Sequence, residues 1–233
     1  MSKKKNKQGQ KLIRNIVLVF VLILICAILI IILNGYNMYK SAITEVSLDE
    51  KINEIRSDMH FVSIDDVSSY YLDAVIAVED HRFYQHRGFD PIATMNALFS
   101  NILSGSFVGR GGSTINQQLA KNMYFSQDKN FTRKIAELFI SFQLEQKLTK
   151  KEILELYINI IYFGDGYYGI NEASFGYYEK HPRDLNFEES LMLAGLPSAP
   201  SVYSPTVNEK LAYERMEQVR AAMIKYGYIK KDN

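Results

Sequence analysis

A chain of 233 residues, 47% hydrophobic and 23% charged, has room for one domain of ordinary size with attachments. Its 27 basic and 26 acidic residues nearly cancel, but six of the basic ones precede residue 15 with no acid among them; the remainder carries 21 against 26, about −5, which excludes a nucleic-acid footprint. His60, His81, His86 and His181 show no HExxH or other ligand spacing, which excludes a structural zinc site, and the single cysteine, Cys26, leaves packing alone to hold the core.

The first predicted element is apolar. Residues 16–33, IVLVFVLILICAILIIIL, form an unbroken apolar run of 18, and as a helix they span roughly 27 Å, most of a bilayer's hydrocarbon core. A cleaved signal peptide usually has a shorter apolar region that ends at a small-residue site. Here the run passes into Asn34-Gly35-Tyr36-Asn37 with no A-x-A, which favours a retained anchor. Lys3, Lys4, Lys5, Lys7, Lys11 and Arg14 precede it, so the positive-inside rule puts residues 1–14 in the cytoplasm as a basic tail. Residues 15–36 are then a transmembrane helix, 37–60 a polar, charged stem, and 61–233 an extracytoplasmic domain.

From about Phe61 the chain punctuates itself as helices. Asp65 or Asp66 is placed to cap a helix through VSSYYLDAVIAVED, whose end sets Glu79 beside Asp80. Asp90-Pro91 starts a helix that runs to about Leu103, before Gly105. Capping-box spacings open three more helices: Thr149 with Glu152, Asn186 with Glu189 before SLMLAGL and its stop at Pro197, and Thr206 with Glu209 before a long helix that Gly227 ends. PSAPSVYSP (197–205) reads as a loop. Alternating strand patterns are scarce, so the predicted class is mainly α.

Three stretches could carry chemistry. In GRGGSTINQQLAK, Gly111-Gly112 and Ser113 lead into a helix boxed by Thr114 and Gln117. Thr114, Gln117, Gln118 and Lys121 share one face of it, while Ile115, Leu119 and Met123 fill another. That polar face is either solvated or a cradle for an anionic, hydroxyl-rich ligand. In FTRKIAELFISFQLEQK, Phe131, Ile135, Leu138, Phe139 and Phe142 make the predicted buried stripe, and Arg133, Lys134 and Glu137 cluster on the polar side, as surface ion pairs or as a site. LYINIIYFGDGYYGINEA ends a helix in an aromatic, glycine-rich loop of buried tyrosines or of rings that stack on sugar faces.

Together these pieces resemble the peptidoglycan glycosyltransferases, including the first domain of class A penicillin-binding proteins. Glu79-Asp80-x-x-Phe83-x-x-His86-x-Gly88 is similar to the first family motif, and Gly112-Ser113-Thr114-x-x-Gln117-Gln118-x-x-Lys121 to the second. Arg133-Lys134-x-x-Glu137 resembles the third, KKEILELYIN with Gly164 and Gly169 the fourth, and EESLMLAGLPSAPSVYSP the fifth. They follow the family order across roughly residues 61–227. Ile158 stands where the family usually has Leu, and FGYYEK puts Glu179 where it usually has Gly.

The resemblance implies a lysozyme-like helical domain with a small membrane-facing subdomain, for which ALFSNILSGSF (Leu98, Phe99, Ile102, Leu103, Phe107) is suited, although an ordinary core helix reads the same way. It also implies an inverting hexosyltransferase that polymerises lipid II and releases undecaprenyl pyrophosphate. A hydroxyl nucleophile near neutral pH needs a base, and Glu79 is the residue implied. Lys121, Arg133 and Lys134 would face the leaving pyrophosphate. Asp80, Phe83, Ser113, Thr114, Gln117, Gln118 and Asn159 would bind or position substrate. Glu137 would orient the cations or hold a divalent metal, Mg2+ or Mn2+; no organic cofactor is implied. The expected partners are lipid II, lipid-linked glycan, the membrane and other cell-wall synthesis proteins, with no nucleic acid, at the bacterial cell membrane. Two other classes remain: a hydrolase of the same polymer, since lysozyme-like folds also use paired acids, and an inactive anchored scaffold. A transpeptidase is not expected at this length without a KTG, and the lone Ser126-x-x-Lys129 lacks its partner motifs.

Overall fold

The computed structural model describes residues 2–104, 112–125 and 130–230. Gly105, Phe107, Gly111, Ser126 and Lys129 lie outside them, as do the side chains of Leu98, Ile102 and Leu103. The protein is mainly α, as expected. Among the described residues the only extended pairing is an isolated bridge between Tyr162 and Tyr168.

Helix α1 (Ser2–Glu45) carries the apolar run, whose side chains the rest of the protein leaves uncovered. The helix expected over 15–36 runs on to Glu45, and Gly35 lets α1 lie against α6 (Phe131–Lys147). A Cβ on Gly35 would stand 2.4 Å from Ile135 Cβ. Below this crossing Tyr36 and Tyr39 each pack on Phe139 with ring centroids 5.3 Å apart. Tertiary packing here outweighs the cost of about 1 kcal/mol for a helical glycine. The segment read as a polar stem is thus largely helical and docked. After α1 comes α2 (Leu48–Arg56), opened by a Ser47–Glu50 capping box and burying Leu48 and Ile52.

Asp65 and Asp66 do not cap the next α-helix. They lie in a 3-10 turn (Ile64–Asp66) opened by Ser63, and extended Val67 separates that turn from α3 (Ser69–Glu79). The two acids instead pair with Lys151 and Arg183. Helix α3 is the central rod, with Tyr71, Ala74, Val75, Ile76 and Ala77 buried against α9 (Phe187–Gly195) and α11 (Glu209–Lys225). The remaining elements are α4 (Pro91–Ser104), α5 (Ile115–Tyr124), α7 (Lys150–Ile160), α8 (Gly169–Tyr178) and α10 (Pro200–Tyr203). The boxes at Thr114, Thr149 and Asn186 form as read. The one at Thr206 does not. Asn208 caps α11, and Thr206 Oγ1 donates to Asp165 Oδ2 at 2.6 Å. The loop read at 197–205 is mostly helical, made of a 3-10 turn (Leu196–Ser198) and α10.

Helix α6 is turned relative to its predicted orientation. Its fully enclosed face is Arg133, Ala136, Glu137, Ile140, Ser141 and Leu144. The stripe read as core faces outward: Phe131 is 79% exposed, Phe142 43%, Leu138 is half-buried, and Ile135 and Phe139 are half-buried toward α1. An amphipathic pattern fixes two faces but not which one is enclosed, and here ion pairs and the apolar α1 reverse the usual assignment.

Candidate active site

The adjacent acids diverge because α3 ends between them. Asp80, the C-cap, leaves helical geometry and turns inward. Its carboxylate accepts from His86 Nε2 at 2.8 Å and from the Ile115 amide at 3.0 Å, tying the end of α3 to the start of α5. Thr114 Oγ1 adds a second tie, donating to the Gly88 carbonyl at 2.7 Å. Gly88 has φ +83°, and a Cβ there would meet the Ser141 carbonyl oxygen at 2.9 Å, so this loop needs glycine.

Glu79, the last residue of α3, is mostly buried. Its Oε2 accepts from Gln118 Nε2 at 2.7 Å, and Gln118 Oε1 in turn accepts from the Tyr157 hydroxyl at 3.2 Å. Its Oε1 is buried with no hydrogen-bond partner among the described residues, with Arg215 Nη2 at 3.9 Å. Burial pushes the Glu79 carboxyl above its ordinary range; the Gln118 hydrogen bond and the Arg215 charge act against this, Asp80 reinforces it, and Lys121 opposes it.

Glu137 sits in the opposite environment. It is fully enclosed, with Oε1 2.8 Å from Arg133 Nε and Oε2 2.7 Å from Lys134 Nζ. Lys134 Nζ also donates to Ser113 Oγ at 2.8 Å, bridging α6 to the residue before the α5 cap. Asn130 fixes the first turn of α6 by accepting from the Arg133 amide. Lys121 lies within electrostatic reach of both carboxylates. Burial lowers its pKa, Glu137 opposes that, Lys134 and Arg133 add to it, and Glu79 opposes it. Three cations therefore surround one enclosed carboxylate, leaving surplus positive charge beside Glu79.

A divalent ion does not fit on Glu137. Both carboxylate oxygens face cations, and no group of three His, Cys, Asp or Glu side chains placed to hold a metal occurs among the described residues.

The structure brings Glu79, Ser113, Gln118, Lys121, Arg133, Lys134 and Glu137 into one neighbourhood. Asp80, Thr114 and Gln117 belong to its frame, Gln117 Oε1 accepting from the Thr114 amide at 3.0 Å. Phe83 is fully buried beneath Lys150 Nζ, 4.4 Å from the ring centroid, and offers no face to a ligand. Asn159 lies elsewhere. Its side chain accepts from the Val62 amide and donates to the carbonyls of Val62 and Glu155, pinning the 61–63 strap to α7. Two residues not named as site residues from the sequence take part: Tyr157, which lies inside KKEILELYIN, and Arg215, whose helix carries no local signal.

The glycine-rich loop after α7 is a backbone device. Gly164 and Gly169 have φ +93° and +76°, and a Cβ on Gly169 would stand 2.5 Å from the Asn159 carbonyl oxygen. At the end of α8 Glu179 takes the left-handed conformation, φ 54° and ψ 34°. The sequence departure noted there therefore falls at a position whose backbone favours glycine.

A family profile described as Transglycosylase matches residues 47–224. The chain is 41% identical over 189 residues to penicillin-binding protein 1F of Bacillus subtilis (strain 168), an alignment covering 81% of this chain and 26% of that protein. It is 45% identical over 187 residues to penicillin-binding protein 1A of Neisseria lactamica, covering 79% and 23%. Among solved structures, penicillin-binding protein 1A from Haemophilus influenzae aligns with a TM-score of 0.43 at 24% identity, over 74% of this chain and 16% of that one. This chain thus spans 26% and 23% of the length of the two curated relatives.

Proposed function

The chain belongs to the transglycosylase family, and from that membership and its site we propose that it is a membrane-anchored peptidoglycan glycosyltransferase that polymerises lipid II, with Glu79 as general base. The observation that carries this reading is the contrast between the two carboxylates. Glu137 has a cation within 2.8 Å of each oxygen, whereas Arg215 stands 3.9 Å from Glu79 Oε1 in a desolvated setting. Carboxylates in unlike surroundings take unlike roles.

In the proposed step the acceptor's 4-hydroxyl attacks the anomeric carbon of the lipid-linked donor. The new C–O bond forms as the bond from that carbon to the phosphate oxygen breaks, and its electron pair leaves with undecaprenyl pyrophosphate. The hydroxyl proton passes to Glu79, whose pKa, raised by burial, makes it a stronger base than a solvated carboxylate. Negative charge gathers on the departing pyrophosphate, where preorganised cations stabilise it most. This reading assigns that work to Lys121, Arg133 and Lys134. Glu137 holds Arg133 and Lys134 in position, and Ser113 steadies Lys134.

The surface supports a membrane setting. Helix α1 is long and apolar enough to cross a bilayer, and the basic residues ahead of its apolar run favour a cytoplasmic N-terminus. Ile92, Met95 and Phe99 are exposed at helical spacing on α4, and Phe131 and Phe142 on α6. Such apolar area suits a domain resting on lipid.

Incubating the purified chain with labelled lipid II tests the reading. Long glycan is the expected product. Shortening of preformed glycan without polymerisation would replace the reading with hydrolysis, and no effect on either would leave a scaffold.

A further inference from the structure

Arg215 enters the site from α11, the helix on which the sequence showed no site signature. Its Nε donates to the Gly195 carbonyl at 3.2 Å and its Nη1 to Gln218 Oε1 at 3.1 Å. The guanidinium carbon lies 5.6 Å from the centre of the Tyr203 ring. Its aliphatic stem crosses Gly195 so closely that a Cβ there would stand 2.9 Å from Arg215 Cγ. Three elements thus hold the head group in place, and its remaining nitrogen, Nη2, points to Glu79 Oε1 at 3.9 Å.

That distance separates two kinds of pairing in one protein. At Glu137 cations approach to 2.8 and 2.7 Å and occupy both oxygens. At Glu79 the guanidinium supplies charge from 3.9 Å without a hydrogen bond, so no protein donor occupies Oε1. We propose that Arg215 is a positioning residue for glycosyl transfer, holding the Glu79 carboxylate ionised and oriented as the proton acceptor. This rests on the reading of Glu79 as the base.

Of the other charged groups facing Glu79, Lys121 acts in the same direction as Arg215 but more weakly, and Asp80 acts against it. Asp80, next in the chain, disfavours a second negative charge, and Lys121 on α5 favours it. Gln118, also on α5, is a neutral donor to the other oxygen. Tyr71 on α3 and Tyr157 on α7 are enclosed phenols whose ionisation burial pushes further up, so they stay neutral. On α9, Glu188 and Glu189 are paired with Arg220 and Lys180.

The test is the pH dependence of kcat/KM for lipid II polymerisation by the full chain, with circular dichroism melts as the check on folding. Removing an opposite charge at this range moves a carboxylate by roughly one pH unit or more. Arg215→Gln is expected to move the acid limb upward by about one unit, and the drop that remains at the alkaline plateau reports the orientation Arg215 supplies. Arg215→Lys keeps the charge on a shorter, unforked side chain and is expected to move the limb by less, restoring part of the shift. A uniform loss at every pH with an unmoved acid limb would make Arg215 structural and overturn the proposal. If Arg215→Gln does not fold, an unmoved limb in Arg215→Lys has the same force. The base assignment fails separately, through wild-type turnover by Glu79→Gln.

Discussion

The hydroxyl of Tyr157 donates to Gln118 Oε1 at 3.2 Å, and that bond selects which end of the Gln118 amide meets Glu79. Without it the amide's oxygen and nitrogen are nearly interchangeable in shape, and the flipped form would set oxygen against carboxylate. Tyr157→Phe should fold normally and lose roughly 5–10-fold in lipid II turnover, the worth of one neutral hydrogen bond. Undiminished turnover would mean that Gln118 is oriented by something else.

Glu79→Gln should abolish polymerisation, a loss of at least roughly 10²–10⁴-fold, because glutamine cannot take a proton near neutral pH. The same variant should melt at a higher temperature than wild type at pH 7. The folded-state pKa of Glu79 is raised, so the native protein binds this proton more tightly than the unfolded chain, and stability falls as pH rises through the interval between the two values. Glutamine removes that loss, and the gain in Tm should shrink toward acid pH. Asp80→Asn should behave oppositely, with a lower Tm, since Asp80 binds His86 and the Ile115 amide. Melts of both variants across pH check the pair.

Lys121→Ala should lose on the order of 10²-fold in turnover, as for removal of a preorganised charge from a developing oxyanion. Lys210→Ala is the control: Lys210 is exposed and only 3.9 Å-paired with Glu214. Equal activity in the two would take Lys121 out of the site.

Glu179→Gly should stabilise the domain. The left-handed residue at the end of α8 costs an L side chain roughly 1–2 kcal/mol, partly offset by the greater unfolded freedom of glycine. A net gain of about 0.5–1 kcal/mol would raise Tm by roughly 2 °C. Glu179→Ala keeps the strain and should show no such rise; a rise in both would locate the effect in the lost charge.

What could be read from sequence was local. The Thr114–Gln117, Thr149–Glu152 and Asn186–Glu189 boxes each lie within one helical turn, and each formed. Glu79, Gln118, Lys121, Arg133, Lys134 and Glu137 were singled out through motifs written along the chain, and the fold brings them together. What could not be read depended on partners far away. Phe131 and Phe142 on α6 look like core until α1 and the enclosed Arg133–Glu137 pair set the other face inward. Asn159 sits inside a motif yet serves the strap at Val62, 97 residues earlier. Arg215 joins Glu79 across 136 positions, a separation that no window on one sequence spans.

The unbroken course of α1 through Gly35 turns residue count into altitude. From Asn34 to Glu45 the helix adds roughly 18 Å of rigid rise, and Tyr36, Tyr39 and Phe139 clamp that post to the domain. With α1 anchored in lipid, the site around Glu79 stands at one elevation above the headgroups instead of ranging over a hemisphere as a flexibly tethered enzyme does. Encounter with a lipid-borne substrate then reduces to lateral diffusion in two dimensions. A thicker bilayer would tilt or lift the whole domain, so lipid chain length becomes a setting of the catalytic geometry.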